Sequence, residues 1–427
     1  MTAFPDHPLR YDLANELHAR PFPTMAHGSQ AAILALKPES NAAGRDRSAD
    51  RDHLKALLDR HGAQHPKPDA THFSGQIGRY HLKWEQHTEF VTYMVFTDGL
   101  SDRPFDPSIW EIFPKDWIAA APGVRVTSAH IRITDATDDN TEITRAIEEW
   151  FVPESLAASS VLDDNAVLAS DFRIDPAGHM RFAVFPRPDT GPARIGRIVQ
   201  RLSEIETYKA MAMLGFPRAG KLNARMAEID AGLSELLQDM TGGTTAPAEQ
   251  LDHLLGYATE LETLMSRSAF RFGATGAYEA IVHQRVEVLR EERFLGRQTF
   301  GEFMMRRFDP AMRTVKSTER RLQTMTDRAF RAGELLRTKV EVDRSAQNQD
   351  LLASMDRRAA LQLRLQETVE GLSVVAISYY AVSLFSYLLA PVAHAVHVEK
   401  PTLTAALVLP VALGVWLMTR RIRKAMH

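Results

Sequence analysis

Gly215-Phe-Pro-Arg-Ala-Gly220-Lys221 fills the first seven positions of the phosphate-binding loop G-x-x-x-x-G-K-[ST]. Such a loop cradles phosphates with backbone N–H groups, reaches them with its lysine and holds Mg²⁺ through a hydroxyl at the eighth position. That position is Leu222, and helix-forming sequence precedes the segment where a strand is required, so it reads as a turn between helices. His61 and His65 are a candidate zinc pair, but Gly62 lies between them and no third ligand follows at a recognisable spacing. Ten of the 16 histidines and four of the five tryptophans fall in the first 150 residues, which makes His18 and Arg20 the candidates there for an enzymatic site. Neither G-x-S-x-G nor H-E-x-x-H occurs. The chain has no cysteine, which removes thiolate nucleophiles, disulfides and Cys-based zinc or iron–sulfur sites. The patterns therefore assign no catalytic residue, no cofactor and no metal, and an enzyme is not the leading expectation.

The elements that would position such residues differ between the two ends of the chain. Its 427 residues allow two or three domains, and 44% apolar with 25% charged residues is the composition of a folded protein. With 51 Lys and Arg against 54 Asp and Glu the formal charge is −3, so the charge balance argues for no nucleic acid as partner. Gly371 to Val398, in contrast, contains no Asp, Glu, Lys or Arg. Its first part, 371–390, has 20 residues, enough to cross the roughly 30 Å of bilayer hydrocarbon at about 1.5 Å per residue. Pro391 is expected to end or kink that helix. A second uncharged run covers 402–419, and a transmembrane hairpin in contact with membrane lipid is the expectation. Arg420, Arg421, Arg423 and Lys424 follow it, and their positive charge places the C-terminus on the cytoplasmic side. Two spans then put the N-terminal region there too, and the opening residues show no apolar core of a signal peptide. Ala376, Tyr379, Ser383, Ser386 and Ala390 repeat at spacings of three and four, and Ala406, Pro410 and Gly414 give the second span a small face. Such faces suit packing within the hairpin, self-association, or a water-lined pore. Neither span holds an ionisable acid or base, which argues against a proton relay.

Ahead of the membrane the pattern predicts an α+β protein. Residues 1–190 read as a mixed α/β domain with a largely antiparallel sheet. Strands are expected near 30–36, 78–86, 88–97 and 123–133, and helices near 50–61, 113–120 and 140–151. Ala166 to Asp175 and Met180 to Arg187 flank a hairpin turn, and the polar stretch Ser40 to Asp52 reads as a surface loop. A helical bundle is expected over 191–308. One stripe is Ile195, Ile198, Val199, Leu202 and Ile205; a second is Leu222, Met226, Ile229, Leu233 and Leu237; a third is Leu251, Leu254, Ala258, Leu261 and Met265. A fourth segment covers 278–295. Asp309-Pro310 is a helix-start signal for a stalk over 309–370, with Met312, Val315, Leu322, Met325, Ala329, Ala332, Leu336 and Val340 on one face. Residues 306–364 carry 14 Arg or Lys against 8 Asp or Glu, a solvated face or a surface attracted to anionic lipid. The hairpin is expected over 371–419 and a basic tail over 420–427.

Four segments resemble a known family: Asn15-Glu-Leu-His-Ala-Arg-Pro21, Val199-Gln-Arg-Leu-Ser-Glu-Ile-Glu-Thr-Tyr208, Arg271-Phe-Gly-Ala-Thr275 and Leu361 to Tyr380. They are similar to the bacterial family catalogued as domain of unknown function number 3422, over nearly the whole chain. The resemblance implies a membrane-anchored protein of uncharacterised function and carries over no catalytic residue. The layout also resembles that of CorA-type divalent-cation channels, although their Gly-Met-Asn signature is missing from the link between the spans, which reads PVAHAVHVEKP over 391–401. The leading expectation is a cytosol-facing, membrane-anchored homo-oligomer with an unknown cytosolic partner; an oligomeric ion channel or transporter is the alternative.

Overall fold

A computed structural model describes residues 4, 6–16, 22–40, 42–242, 245–395 and 399–426. After a short helix α1 (Arg10–Glu16), nine strands form one sheet: β1 (Ser29–Lys37), β2 (His72–Ile77), β3 (Tyr80–Gln86), β4 (Val91–Asp98), β5 (Val124–Ile133), β6 (Ala157–Val161), β7 (Ala166–Ser170), β8 (Met180–Pro186) and β9 (Glu292–Arg293). Their order is β2-β3-β4-β1-β5-β8-β7-β6-β9, and every pairing is antiparallel except β5 with β8.

β1 lies in the middle of the sheet and is buried on both faces, which its run Ala-Ala-Ile-Leu-Ala-Leu permits. Successive side chains alternate between faces. Ala32, Leu34 and Leu36 join Leu54, Leu57 and Leu58 of α2 (Arg47–Arg60), together with Trp84, Tyr93 and Trp117. Ala31 and Ile33 face the other way, with Ile131 and Ile133 of β5, onto Ile195, Ile198, Val199, Leu202 and Ile205 of α5 (Pro192–Met213). The first predicted stripe is thus the face that covers the sheet. Trp117 belongs to the short helix α3 (Lys115–Ala119), and α4 (Asn140–Trp150) buries Ile143 and Ile147 over β6, β7 and β8. Asp46 and Asp139 cap α2 and α4, each accepting a backbone N–H at 2.8 Å.

Several local expectations are corrected. The polar stretch 40–52 is not a plain loop: it enters α2, and Arg45 is buried on Asp50 at 2.8 Å while also donating to the His87 carbonyl at 2.8 Å. The expected hairpin between β7 and β8 has its turn where composition put it, with Ile174 bridging Met180, but β7 itself ends at Ser170. α6 (Gly215–Gly242) starts directly after α5, and a Cβ at Gly215 would collide with Thr275. The third and fourth predicted helical segments are one helix, α7 (Pro247–Glu287). α8 (Phe300–Ala395) begins ahead of Asp309-Pro310, because Thr299 and Glu302 form its capping box at 3.1 Å in both directions. It also runs one turn past Pro391, where a missing N–H removes only a bond of the last turn. α9 (Lys400–Met426) follows, with Pro401 in its first turn and Pro410 inside it.

The chain divides into two compact units, Met1–Thr244 with Asp252–Ala332, and Thr245–Leu251 with Gly333–His427. In the first, Met312, Val315, Leu322, Met325, Ala329 and Ala332 are buried as their spacing predicts. Polar contacts fasten this part of α8: Thr318 accepts from Asn223 at 2.8 Å, Arg328 donates to Asp230 at 3.0 Å, and Lys316 donates to Glu279 at 2.7 Å. In the second unit, residues 341–369 are exposed throughout.

Candidate functional site

β3 alternates apolar and polar residues, Leu82 and Trp84 against Lys83 and Glu85. In a sheet with one solvated face the polar set would meet water. Here α5 covers that face, so Lys83 is only 6% exposed. Register pairs Lys83 with Met94 and Glu85 with Thr92 of β4. Opposite them α5 presents Gln200, Ser203, Glu204 and Thr207, and between the two layers lies a cavity of about 240 Å³. Lys83 Nζ donates to Gln200 Oε1 at 2.6 Å and lies 3.5 Å from Glu85. Gln200 Nε2 donates to Glu204 at 2.8 Å, and Arg285 of α7 donates to the same carboxylate. The Thr207 hydroxyl is buried and has no hydrogen-bond partner among the described residues. His87, stacked on Phe90 with ring centres 4.2 Å apart, and Tyr208 complete the lining. Alternating donors and acceptors around a small volume suit a compact polar ligand.

A second cluster lies at the β3–β4 turn. Glu89 is 1% exposed and accepts from Arg271 and, at 2.9 Å, from the Tyr278 hydroxyl, while Lys37 Nζ lies 3.9 Å away. Burial, then the Glu89 charge, holds the Tyr278 phenol above its ordinary range, so it remains a donor. Burial lowers Lys37, and Glu89 partly opposes that shift. Two segments that carry the family resemblance meet in this region: 199–208 supplies the α5 side of the cavity, and Arg271 holds Glu89 while Thr275 donates to the Ala212 carbonyl at 3.3 Å.

In the second unit α8 and α9 run antiparallel. The Ser386 and Thr404 hydroxyls are 3.5 Å apart, Lys400 Nζ lies 5.8 Å from the Tyr387 ring centre, and Glu367, Glu370 and Gly371 share a cavity with Trp416, Thr419 and Arg420. Of the small and hydroxyl residues singled out by spacing, Ser386 is buried and Ser383 and Ala390 half-buried, whereas Ala376, Tyr379, Ala406, Pro410 and Gly414 are exposed. Arg420 lies over the Trp416 ring at 5.1 Å and Arg421 is exposed. Arg423 and Lys424 belong to the last turns of α9.

The other sequence candidates do not converge. Gly215 to Lys221 lie in the first turns of α6, without a strand ahead of them. His61 ends α2, and His65 pairs with Asp59 at 2.6 Å. Among the described residues no group of three or more His, Asp or Glu is placed to hold a metal ion. His18 and Arg20 lie outside the described residues. Sequence reasoning missed Lys83, Glu85, Gln200, Glu204, Glu89 and Arg285. The available signal was polar residues at core spacing on a helix whose other face also had to be covered.

Fold and site together define an α+β protein with a covered polar cavity and two C-terminal helices that are, by length and composition, long and apolar enough to cross a membrane. The chain belongs to the family described as Protein of unknown function (DUF3422), whose family profile matches residues 5–426. No curated protein matches the chain.

Proposed function

We propose that the protein is anchored in the bacterial inner membrane by the α8–α9 hairpin. In this reading the sheet-bearing unit and the basic tail face the cytosol, and the protein binds or scaffolds a cytosolic partner while self-associating. The observation that carries the reading is the exposed apolar surface of the two antiparallel helices. Only 11% of the apolar window of α8 and none of that of α9 is buried, although Leu372, Val375, Leu384, Leu388, Leu409 and Leu413 point outward. Water opposes such a surface and hydrocarbon accepts it, with every backbone group satisfied inside a helix. Self-association is supported by residues 341–369, a run of helix with exposed Leu351, Leu352, Met355, Leu361 and Leu365. Packing, more than propensity, stabilises helices in water, and a second copy would supply it.

The test is fractionation of cells expressing the full chain, with a reporter fused after the last residue. Retention in the membrane pellet after carbonate washing, with the reporter active on the cytosolic side, is the expected result. Recovery in the soluble fraction without detergent overturns the anchor. A second reading, an oligomeric ion channel, is supported by a cavity of about 360 Å³ lined by Ser383, Ser386, Tyr387, Lys400, Pro401 and Thr404. Ion flux through liposomes holding a purified oligomer favours that reading, and sealed liposomes remove it.

A further inference from the structure

α5 carries an excess of positive charge beside the polar cavity. Arg197 and Arg201 are one turn apart on the same face, and Glu204 follows Arg201 by three residues, so their side chains are neighbours. Arg285 reaches this face from α7 through its ion pair with Glu204 and also lines the cavity. Arg201 is half-buried and its Nη1 is sealed from solvent, with no hydrogen-bond partner among the described residues. Neither Arg197 nor Arg201 forms an ion pair with a described residue. Burial lowers the Arg201 pKa first, the charges of Arg197 and Arg285 lower it further, Glu204 opposes them, and Arg290 adds a smaller lowering. Arg290 is itself neutralised by Asp163 at 2.7 Å. Among the described residues, three guanidiniums meet the single carboxylate of Glu204 on this face, an excess of two positive charges, and a buried N–H without an acceptor is unfavourable. Perturbed, partly desolvated charges cluster at functional sites, and arginine forks bind anions through charge-assisted hydrogen bonds.

We propose that Arg197, Arg201 and Arg285 bind the phosphate group of a small phosphorylated molecule, whose polar remainder enters the cavity lined by Lys83, Gln200, Ser203 and Thr207. A phosphate monoester carries about −1.5 to −2 at neutral pH, which matches the uncompensated charge. The planar fork of arginine suits phosphate oxygens, and the orphaned Nη1 supplies one donor. Thr207, 3% exposed and with no hydrogen-bond partner for its hydroxyl among the described residues, offers a further polar contact in the cavity. This inference goes beyond the anchoring reading, and neither outcome of the fractionation test bears on it.

The experiment is thermal unfolding of the full-length protein in nanodiscs of zwitterionic lipid, titrated with inorganic phosphate and pyrophosphate at constant ionic strength. A saturable rise in Tm is expected. Arg201→Gln should weaken the response about tenfold or more, the worth of one charge-assisted hydrogen bond, while the exposed Arg313→Gln leaves it unchanged. Without phosphate, Arg201→Gln should unfold at the same or a higher temperature, because it removes like-charge repulsion; a merely structural arginine would give a lower one. No saturable response in the parent, an equal response in Arg201→Gln, or a lower phosphate-free Tm for that variant overturns the proposal. A response that requires phosphatidylglycerol in the nanodisc and is absent with soluble phosphate also overturns it, and assigns the arginines to a lipid headgroup.

Discussion

Glu89 sits where three cationic or hydroxyl donors converge, and its environment makes its removal asymmetric. Deleting the carboxylate leaves Arg271 buried with its charge unanswered; removing one partner of a buried pair costs about 3–5 kcal/mol. Glu89→Ala should therefore lower the unfolding midpoint strongly in chemical denaturation, and Glu89→Ala with Arg271→Met should recover part of the loss. Histidine burial gives a second test. His130 Nε2 donates to Gln30 Oε1 at 3.1 Å, and burial, followed by neighbouring His179 and Arg132, depresses its pKa to about 4. His179 lies near the same value, chiefly through burial. An unfolded histidine titrates near 6.5. The unfolded chain thus takes up protons first, so stability is intact above about pH 6.5 and falls as the pH drops toward 4. For His130 alone the full loss is on the order of 3 kcal/mol. Urea midpoints measured from pH 7.5 to 4.5 should decline, and His130→Gln should flatten that slope. At this scale the sequence was least legible. Lys83 and Glu85 carry the alternation of a half-solvated strand, and only the arrival of α5 on their face turns them into a cavity lining.

Elements were legible where period and burial coincide. Strands β1, β3, β4 and β5 and helices α2, α3 and α4 fall within a few residues of their predicted positions, because each carries a clear apolar run or face. β6 was missed because Ala-Ala-Ser-Ser-Val is buried throughout without large apolar residues, and β2 because Gly75 and Ser74 dilute its signal. α7 continues where two segments were expected, since Leu254, Leu261, Phe272 and Val282 keep burial running along the helix through and past Gly273 and Gly276. α8 holds two environments within one helix, and they predict opposite mutational results. Leu322 is 2% exposed, so Leu322→Ala should cost about 2–5 kcal/mol in stability, read by denaturant titration. Leu361 is 65% exposed, so Leu361→Ala should leave that titration within about 0.5 kcal/mol. If the stalk is the proposed self-association surface, the same substitution reduces cross-linking between copies.

For the whole molecule, the hairpin and its charge asymmetry are the features most open to test. Only Lys400 answers the four cations after residue 419, and cytoplasmic bias is counted over such short flanks. Replacing Arg420, Arg421, Arg423 and Lys424 with glutamine should move a C-terminal reporter partly to the far side of the membrane or reduce insertion, measured by protease protection. The apolar C-terminus was readable because charge-free runs of that length are rare in soluble chains. The overall sheet order was not, because it depends on pairings between strands far apart in sequence, above all β1 with β5 and β5 with β8.

The pairing of β6 with β9, also distant in sequence, has a consequence for biosynthesis. β9 closes the outer edge of the sheet against β6 at Ser159 and Ser160, yet it follows three long helices in the chain. Until the ribosome has delivered Glu292 and Arg293, the growing polypeptide holds β6 as an open border of unpaired amides and carbonyls, a template for aberrant pairing. The same two residues precede the helix that leads to the apolar tail, so sealing of that border and emergence of the apolar segment are ordered in time by the chain itself.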